Sequence, residues 1–147
     1  MPTLLALAHS PAPSFTPLML EPVRAGFPSP AAAYTAGALD FNQYLVSNAA
    51  ATFALYAAGD SMIDAGIGDG DLLVVDRARE ALNGDIVVAQ VGIEFTVKRL
   101  RKTADGVELH PENALQAYPV LRPSEADEWK LIGVVTFIVK KACPRSR

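Results

Sequence analysis

Histidine, cysteine and excess basic charge are all in short supply in this chain. Among 147 residues there are two histidines, His9 and His110, and one cysteine, Cys143. A lone cysteine forms no intrachain disulfide, which suits a reducing compartment. Two isolated histidines and a remote cysteine do not make a zinc site, so neither metal nor cofactor is expected. The formal net charge of −3 argues against nucleic acid as the main partner, because such binding is driven largely by neutralising phosphates. No apolar run approaches the length that spans a bilayer. The N-terminal "TLLALA" is too short for the apolar region of a signal peptide, and no basic residue precedes it. The expectation is a soluble, cytoplasmic protein, large enough to bury a core without staples.

Proline, by contrast, is abundant and unevenly spread. Seven of the 11 prolines (Pro2, Pro11, Pro13, Pro17, Pro22, Pro28 and Pro30) fall in the first 30 residues. That density blocks helices and sheet ladders, so residues 1–40 are expected to form an extended arm. The arm is not a polar linker. Phe15, Leu18, Met19, Leu20 and Phe27 are scattered through it, which suggests packing against its own globular domain or a partner's.

Residues 41–147 read differently. In "DFNQYLVSN", Asp40 is placed to N-cap a short helix with Phe41, Tyr44 and Leu45 on one face. Then follow "ATFALYAA", "DLLVVDRA", "GDIVVAQV", "EFTVKRL", "GVELHP" and "KLIGVVTFIVKK", each bounded by Gly, Asp, Asn or Pro. Such runs are strands joined by turns. A mostly β architecture of packed sheets or a partly open barrel is expected. Periodicity leaves two uses open for "LIGVVTFIVKK", a buried core strand or a strand that pairs across a dimer interface.

One serine stands out in "AAGDSMIDAGIGDGDLLVVD". Ser61 suits a turn, but it also invites the question of a nucleophile, and a hydroxyl needs an adjacent base to act as one. His9 lies in the arm and His110 ends a short strand before Pro111, so neither is an obvious base. Lys98 in "EFTVKRL" is the better candidate, with alternation placing it on the face of Glu94, Thr96 and Leu100. Against a free pKa of about 10.4, a lysine is almost wholly charged at neutral pH. Burial on an apolar strand would have to lower that value for Lys98 to serve as a base. Periodicity alone equally allows Lys98 to join the charged cluster "KRLRK" in water. The aspartate- and glycine-rich loop after Ser61 fails the EF-hand pattern, since Gly66 and Gly68 stand where oxygen ligands are needed. A strand and not a helix follows it, so it is no phosphate loop either.

Three segments taken together, "FALYAAGDSMIDAGIGDGDLLVVDRA", "NGDIVVAQVGIEFTVKRL" and "GVVTFIVK", resemble the self-cleaving UmuD-like proteins of the LexA-type serine peptidase family. The resemblance runs from about residue 24 to 141. It implies the mostly β peptidase domain of that family. Ser61 in "GDSM" matches the nucleophile and Lys98 in "FTVKRL" the general base. The backbone N–H groups of Asp60 and Ser61 match the oxyanion hole. The chain contains four Ala-Gly pairs, of which Ala25-Gly26 in "VRAGFPSP" matches the family's cleavage junction. The resemblance further implies a homodimer, a RecA–single-stranded DNA filament that stimulates cleavage, and a UmuC-like translesion polymerase subunit served by the trimmed form in SOS mutagenesis. Rival readings fit less well. A GDSL-type esterase needs a C-terminal Asp-x-x-His, and no histidine follows His110. A LexA-type repressor needs a helix-turn-helix that the proline-rich arm cannot form, so sequence-specific DNA binding is not expected. Signal peptidases need membrane anchors. A non-catalytic dimerisation and polymerase-binding module remains the non-enzymatic alternative.

Overall fold

Alternating aliphatic residues do most of the work of the fold. The computed structural model describes residues 12–20, 22–23, 25–26 and 36–143. The chain divides into two units, Met1–Ser47 and Asn48–Arg147. His9, Phe27, Pro28 and Pro30 lie outside the described residues.

In the first unit, β1 (Phe15–Met19) pairs antiparallel with β2 (Ala36–Asp40). The segment is extended, as its prolines require, yet it is not free of ladder bonds. Pro17 lies opposite Ala38, and a two-stranded sheet leaves each strand an outer edge on which a missing N–H costs nothing. Phe15, Met19, Leu20 and Val23 are exposed. The short helix α1 (Phe41–Leu45) follows at once, and Asp40 caps it by accepting a 3.0 Å bond from the Asn42 N–H.

The second unit is one antiparallel sheet of six strands. They are β3 (Thr52–Tyr56), β4 (Leu72–Asp76), β5 (Ile86–Val91), β6 (Glu94–Thr103), β7 (Gly106–His110) and β8 (Trp129–Val139), in the order β3-β4-β8-β5-β6-β7. The last strand therefore lies in the middle, hydrogen-bonded to β4 on one side and β5 on the other. β4 takes one edge over Val134–Val139 and β5 the other over Trp129–Val134, so "LIGVVTFIVKK" is a central strand of the sheet. Its apolar residues on both faces suit that position.

The sheet buries both faces. Ala57, Met62, Ile67, Leu73, Val75 and Val88 form one cluster, and Val87, Ala89, Leu100, Leu109 and Val134 the other. Consecutive residues of β5 divide between the two clusters, as the two-residue period of a strand demands. Two bulges bend β8 between its neighbours. The register slips between Val74 and Val75 on β4 and between Val88 and Ala89 on β5, leaving Thr136 and Ile132 as extra residues on β8. Bulges of this kind increase local twist, and here they let one strand serve both β4 and β5.

Gly133 sits between those bulges. A Cβ there would come within 2.7 Å of Val75 Cγ1 and 2.8 Å of the Asp76 carbonyl oxygen. Backbone cannot yield as a side chain can, so Gly133→Ala is expected to cost about 2 kcal/mol or more, the scale of core overpacking. Urea denaturation checks this, through a lower midpoint at an unchanged slope.

Candidate active site

Ser61 is presented by a turn that aspartates and glycines build. Gly59 adopts a φ of +84°, which favours glycine, and its N–H donates to Asp69 Oδ1 at 2.8 Å. A single 3₁₀ turn, Ile63–Ala65, follows the serine and ends on Gly66 at φ +86°. Met62 and Ile67 anchor this segment in the core at 3% exposure each. Further on, the Gly68 N–H and the Lys140 ammonium both donate to Asp71 Oδ2. These bonds hold the Asp71 carboxyl below its ordinary pKa. The glycine- and aspartate-rich loop is thus a turn fixed by its own side chains.

Lys98 reaches Ser61 from β6. Its Nζ lies 3.1 Å from Ser61 Oγ, across 37 residues of sequence. Nζ also lies 2.9 Å from Thr96 Oγ1 and 3.2 Å from the Val97 carbonyl oxygen. Only 9% of Lys98 is exposed. Among the described residues no carboxylate is paired with it. The charged cluster does not carry Lys98 into water, because β6 is tied to β5 along this stretch and Val87 stands directly opposite. Desolvation pushes the Lys98 ammonium below its ordinary pKa. The three neighbours suit either charge state. An ammonium finds three acceptors. A neutral amine donates to Val97 and Thr96 and turns its lone pair to the Ser61 hydroxyl.

The dyad borders a cavity of about 220 Å³ lined by Leu55, Met62, Ile67, Phe95 and Val97, among others. Among the described residues, neither the Asp60 nor the Ser61 N–H donates to a protein acceptor.

A loop after β7 braces this turn, and the sequence gives little sign of it. The Glu112 N–H donates to the Ser61 carbonyl at 2.7 Å, and the Glu112 carbonyl accepts from the Asp64 N–H at 2.9 Å. The Glu112 carboxylate meanwhile takes two bonds from Arg99, at 2.7 and 3.0 Å. That pair lowers the Glu112 pKa and raises that of Arg99. Arg99 directly follows Lys98, so one residue, Glu112, ties the serine's turn to the lysine's strand. His110 is not in this arrangement; its ring bonds Glu108 at 2.6 Å.

Residues 17–136 match the description of Peptidase S24-like proteins. The chain belongs to that family. SamA of Salmonella typhimurium is 46% identical over 138 residues, 94% of each chain. ImpA of Escherichia coli is 44% identical over 128 residues, 85% of this chain and 83% of ImpA. A LexA repressor from Delftia acidovorans is 49% identical over 90 residues, which is 61% of this chain and 39% of the repressor. The resemblance to LexA-type peptidases stands, and with it the mostly β fold. Among the described residues no helix is long and apolar enough to cross a membrane.

Of the other residues singled out by sequence, Ala25 and Gly26 lie in the first unit and are exposed. The rival Ala36-Gly37 pair is laddered into β2 opposite Met19 and Leu18. Thr96 was placed on the Lys98 face by alternation, but its bond to Nζ becomes visible only in three dimensions.

Burial sets the sign of two expectations. Carbon NMR of the lysine ε-methylene should show Lys98 titrating below the free value of about 10.4. Thr96→Val should lower it further, because the ammonium loses an acceptor. Since folding lowers this pKa, the unfolded chain holds the proton more tightly between the two values. Stability contributed here therefore rises with pH across that window and is smallest below it. Lys98→Met, which removes the buried charge, should raise the melting temperature at neutral pH.

Proposed function

We propose that the protein is a self-cleaving serine peptidase of the SOS response. In this reading Ser61 is the nucleophile, Lys98 its general base, and the Ala25–Gly26 bond the substrate. The observation that carries it is the 3.1 Å approach to Ser61 of a buried lysine that pairs with no carboxylate among the described residues. Family membership and the match to SamA over 94% of both chains support it.

In this reading the chemistry is acyl transfer to Ser61 followed by hydrolysis. Ser61 Oγ attacks the Ala25 carbonyl carbon while its proton passes to Lys98 Nζ. The carbonyl oxygen becomes an oxyanion that the Asp60 and Ser61 N–H groups receive. Lys98 then gives the proton to the Gly26 nitrogen, the Ala25–Gly26 bond breaks, and Ala25 is left as an ester on Ser61. Water, deprotonated by the again-neutral Lys98, hydrolyses that ester. A small residue before the bond suits the narrow cavity, and glycine after it lets the backbone approach closely. A substrate carried on the same chain, or on a dimer partner, arrives at high effective concentration. That offsets the cost of taking the proton from Lys98 before it can act as the base.

We place the activity in SOS mutagenesis. A RecA–single-stranded DNA filament would favour the cleavable position of the arm, and the trimmed homodimer would assist a UmuC-like translesion polymerase in the cytoplasm. The relation to the LexA repressor covers 61% of this chain, whereas the relation to SamA runs through nearly all of it. That difference favours this role over a repressor's. The acidic balance likewise offers little footprint for operator DNA.

Intact-mass analysis before and after incubation with RecA, nucleotide and single-stranded DNA tests the reading. The expected large product is Gly26–Arg147. Ser61→Ala, Lys98→Ala and Lys98→Arg should each abolish it, since a guanidinium cannot shed its proton at usable pH. A product starting at Gly37 would move the scissile bond. Cleavage at the parent rate in any of the three variants would remove the dyad. Stimulation by DNA without RecA would sink the mutagenesis role.

A further inference from the structure

Five hydrogen bonds join the loop after β7 to the turn that carries Ser61, and two of them converge on Asp60. The Asn113 side-chain amide donates from Nδ2 to the Asp60 carbonyl oxygen at 2.9 Å. The Tyr118 hydroxyl donates to Asp60 Oδ1. The remaining three involve Glu112, whose backbone bonds Ser61 and Asp64, and Ala114, whose N–H donates to Asp64 Oδ2 at 2.6 Å.

The Asp60 carbonyl belongs to the same planar peptide unit as the Ser61 N–H. Because that unit is rigid and trans, fixing its oxygen fixes the direction of its N–H on the opposite side. Asn113 therefore sets the aim of one oxyanion donor. Tyr118 holds the Asp60 side chain and so restrains the other end of that residue. Asn113 is itself preset, since its Oδ1 accepts from the Leu115 and Gln116 N–H groups at 3.0 and 3.1 Å. Its Nδ2 is left to face the turn.

We propose that Asn113 and Tyr118 are positioning residues that hold the Asp60–Ser61 peptide in register for the transition-state oxyanion. This rests on the self-cleavage reading above. It assigns to the loop a role in rate and none in proton transfer, since neither residue touches Lys98. The bond to Asp60 also raises the Tyr118 pKa.

The test uses the full chain and its self-cleavage rate. Asn113→Asp removes the donor but keeps the oxygen that turns the loop, and Tyr118→Phe removes only a hydroxyl. Leu115→Ala, at a side chain 98% exposed on the same loop, is the control. Each variant is also challenged with two short peptides ending at the Ala25 position, one a boronic acid and one a carboxamide. The boronate becomes tetrahedral on Ser61 and mimics the transition state, whereas the amide reports ground-state binding. Asn113→Asp is expected to slow cleavage about tenfold, less than the roughly 10²–10³ that follows loss of a direct oxyanion donor. Boronate inhibition should weaken by the same factor, with amide inhibition, melting temperature and the midpoint of the pH–rate profile unchanged. Tyr118→Phe should show a smaller loss of the same kind. Leu115→Ala should match the parent.

Parent rates in both variants would overturn the proposal. So would slower cleavage in which boronate and amide weaken alike, or in which the pH midpoint moves. A parent chain that never cleaves, with RecA filament present, would instead overturn the self-cleavage reading itself.

Discussion

Among the described residues Lys98 is buried without a carboxylate to neutralise it, and that unfavourable placement sets what the surrounding domain must supply. A buried ammonium with no counter-charge is costly, and the least costly outcome is a lowered pKa. The strand that carries it must therefore be fixed on both sides of the residue. β6 is paired with β5 from Glu94 to Arg99 and with β7 from Arg99 to Thr103. Lys98 lies one residue before Arg99, where the two ladders overlap. Its side chain leaves the sheet there and meets the serine's turn.

That turn has the opposite character. Its bonds to the loop after β7 are mostly exposed, whereas Lys98 sits among buried apolar side chains. Packing and strand pairing place Lys98, whereas exposed hydrogen bonds brace the turn of Ser61. Packing in a core does not adjust continuously, but a solvent-exposed network opens and closes locally at small cost. Glu112 is where the two regimes meet. Its carboxylate grips Arg99 on the rigid strand while its backbone holds Ser61 and Asp64.

Much of this was legible in the sequence because it is local. Alternation and turn residues give all six strands of the sheet, and Asp40 gives the helix cap. The nucleophile's turn is legible for the same reason, since Gly59 and Gly66 are needed for positive φ at those positions. The burial of Lys98 was not. In "KRLRK" a period of two cannot tell an inward lysine from an outward one when both faces of the strand carry charge. Resemblance supplied what periodicity could not. Pro17 misled in the other direction, because proline forbids a ladder only on the side where its N–H is needed. The brace was invisible for a third reason. Asn113 and Tyr118 lie 53 and 58 residues from Asp60, and "PENALQAY" has no period and no apolar signal.

The two regimes also separate stability from activity. Exchanging Lys98 for an apolar residue relieves a desolvation cost and, on the proposed reading, removes the base, so the fold gains where the chemistry loses. The loop side chains work differently. Tyr118 and Asn113 are half-buried, and their hydrogen bonds to Asp60 lie where water competes, so each bond contributes modestly to folding. Their leverage comes from direction, because they aim one peptide unit at a point in the site. A site assembled this way keeps its folding energy in the sheet and its catalytic alignment at the rim. On the proposed reading, the rate of self-cleavage is therefore adjustable from the loop without disturbing the sheet that keeps Lys98 dry.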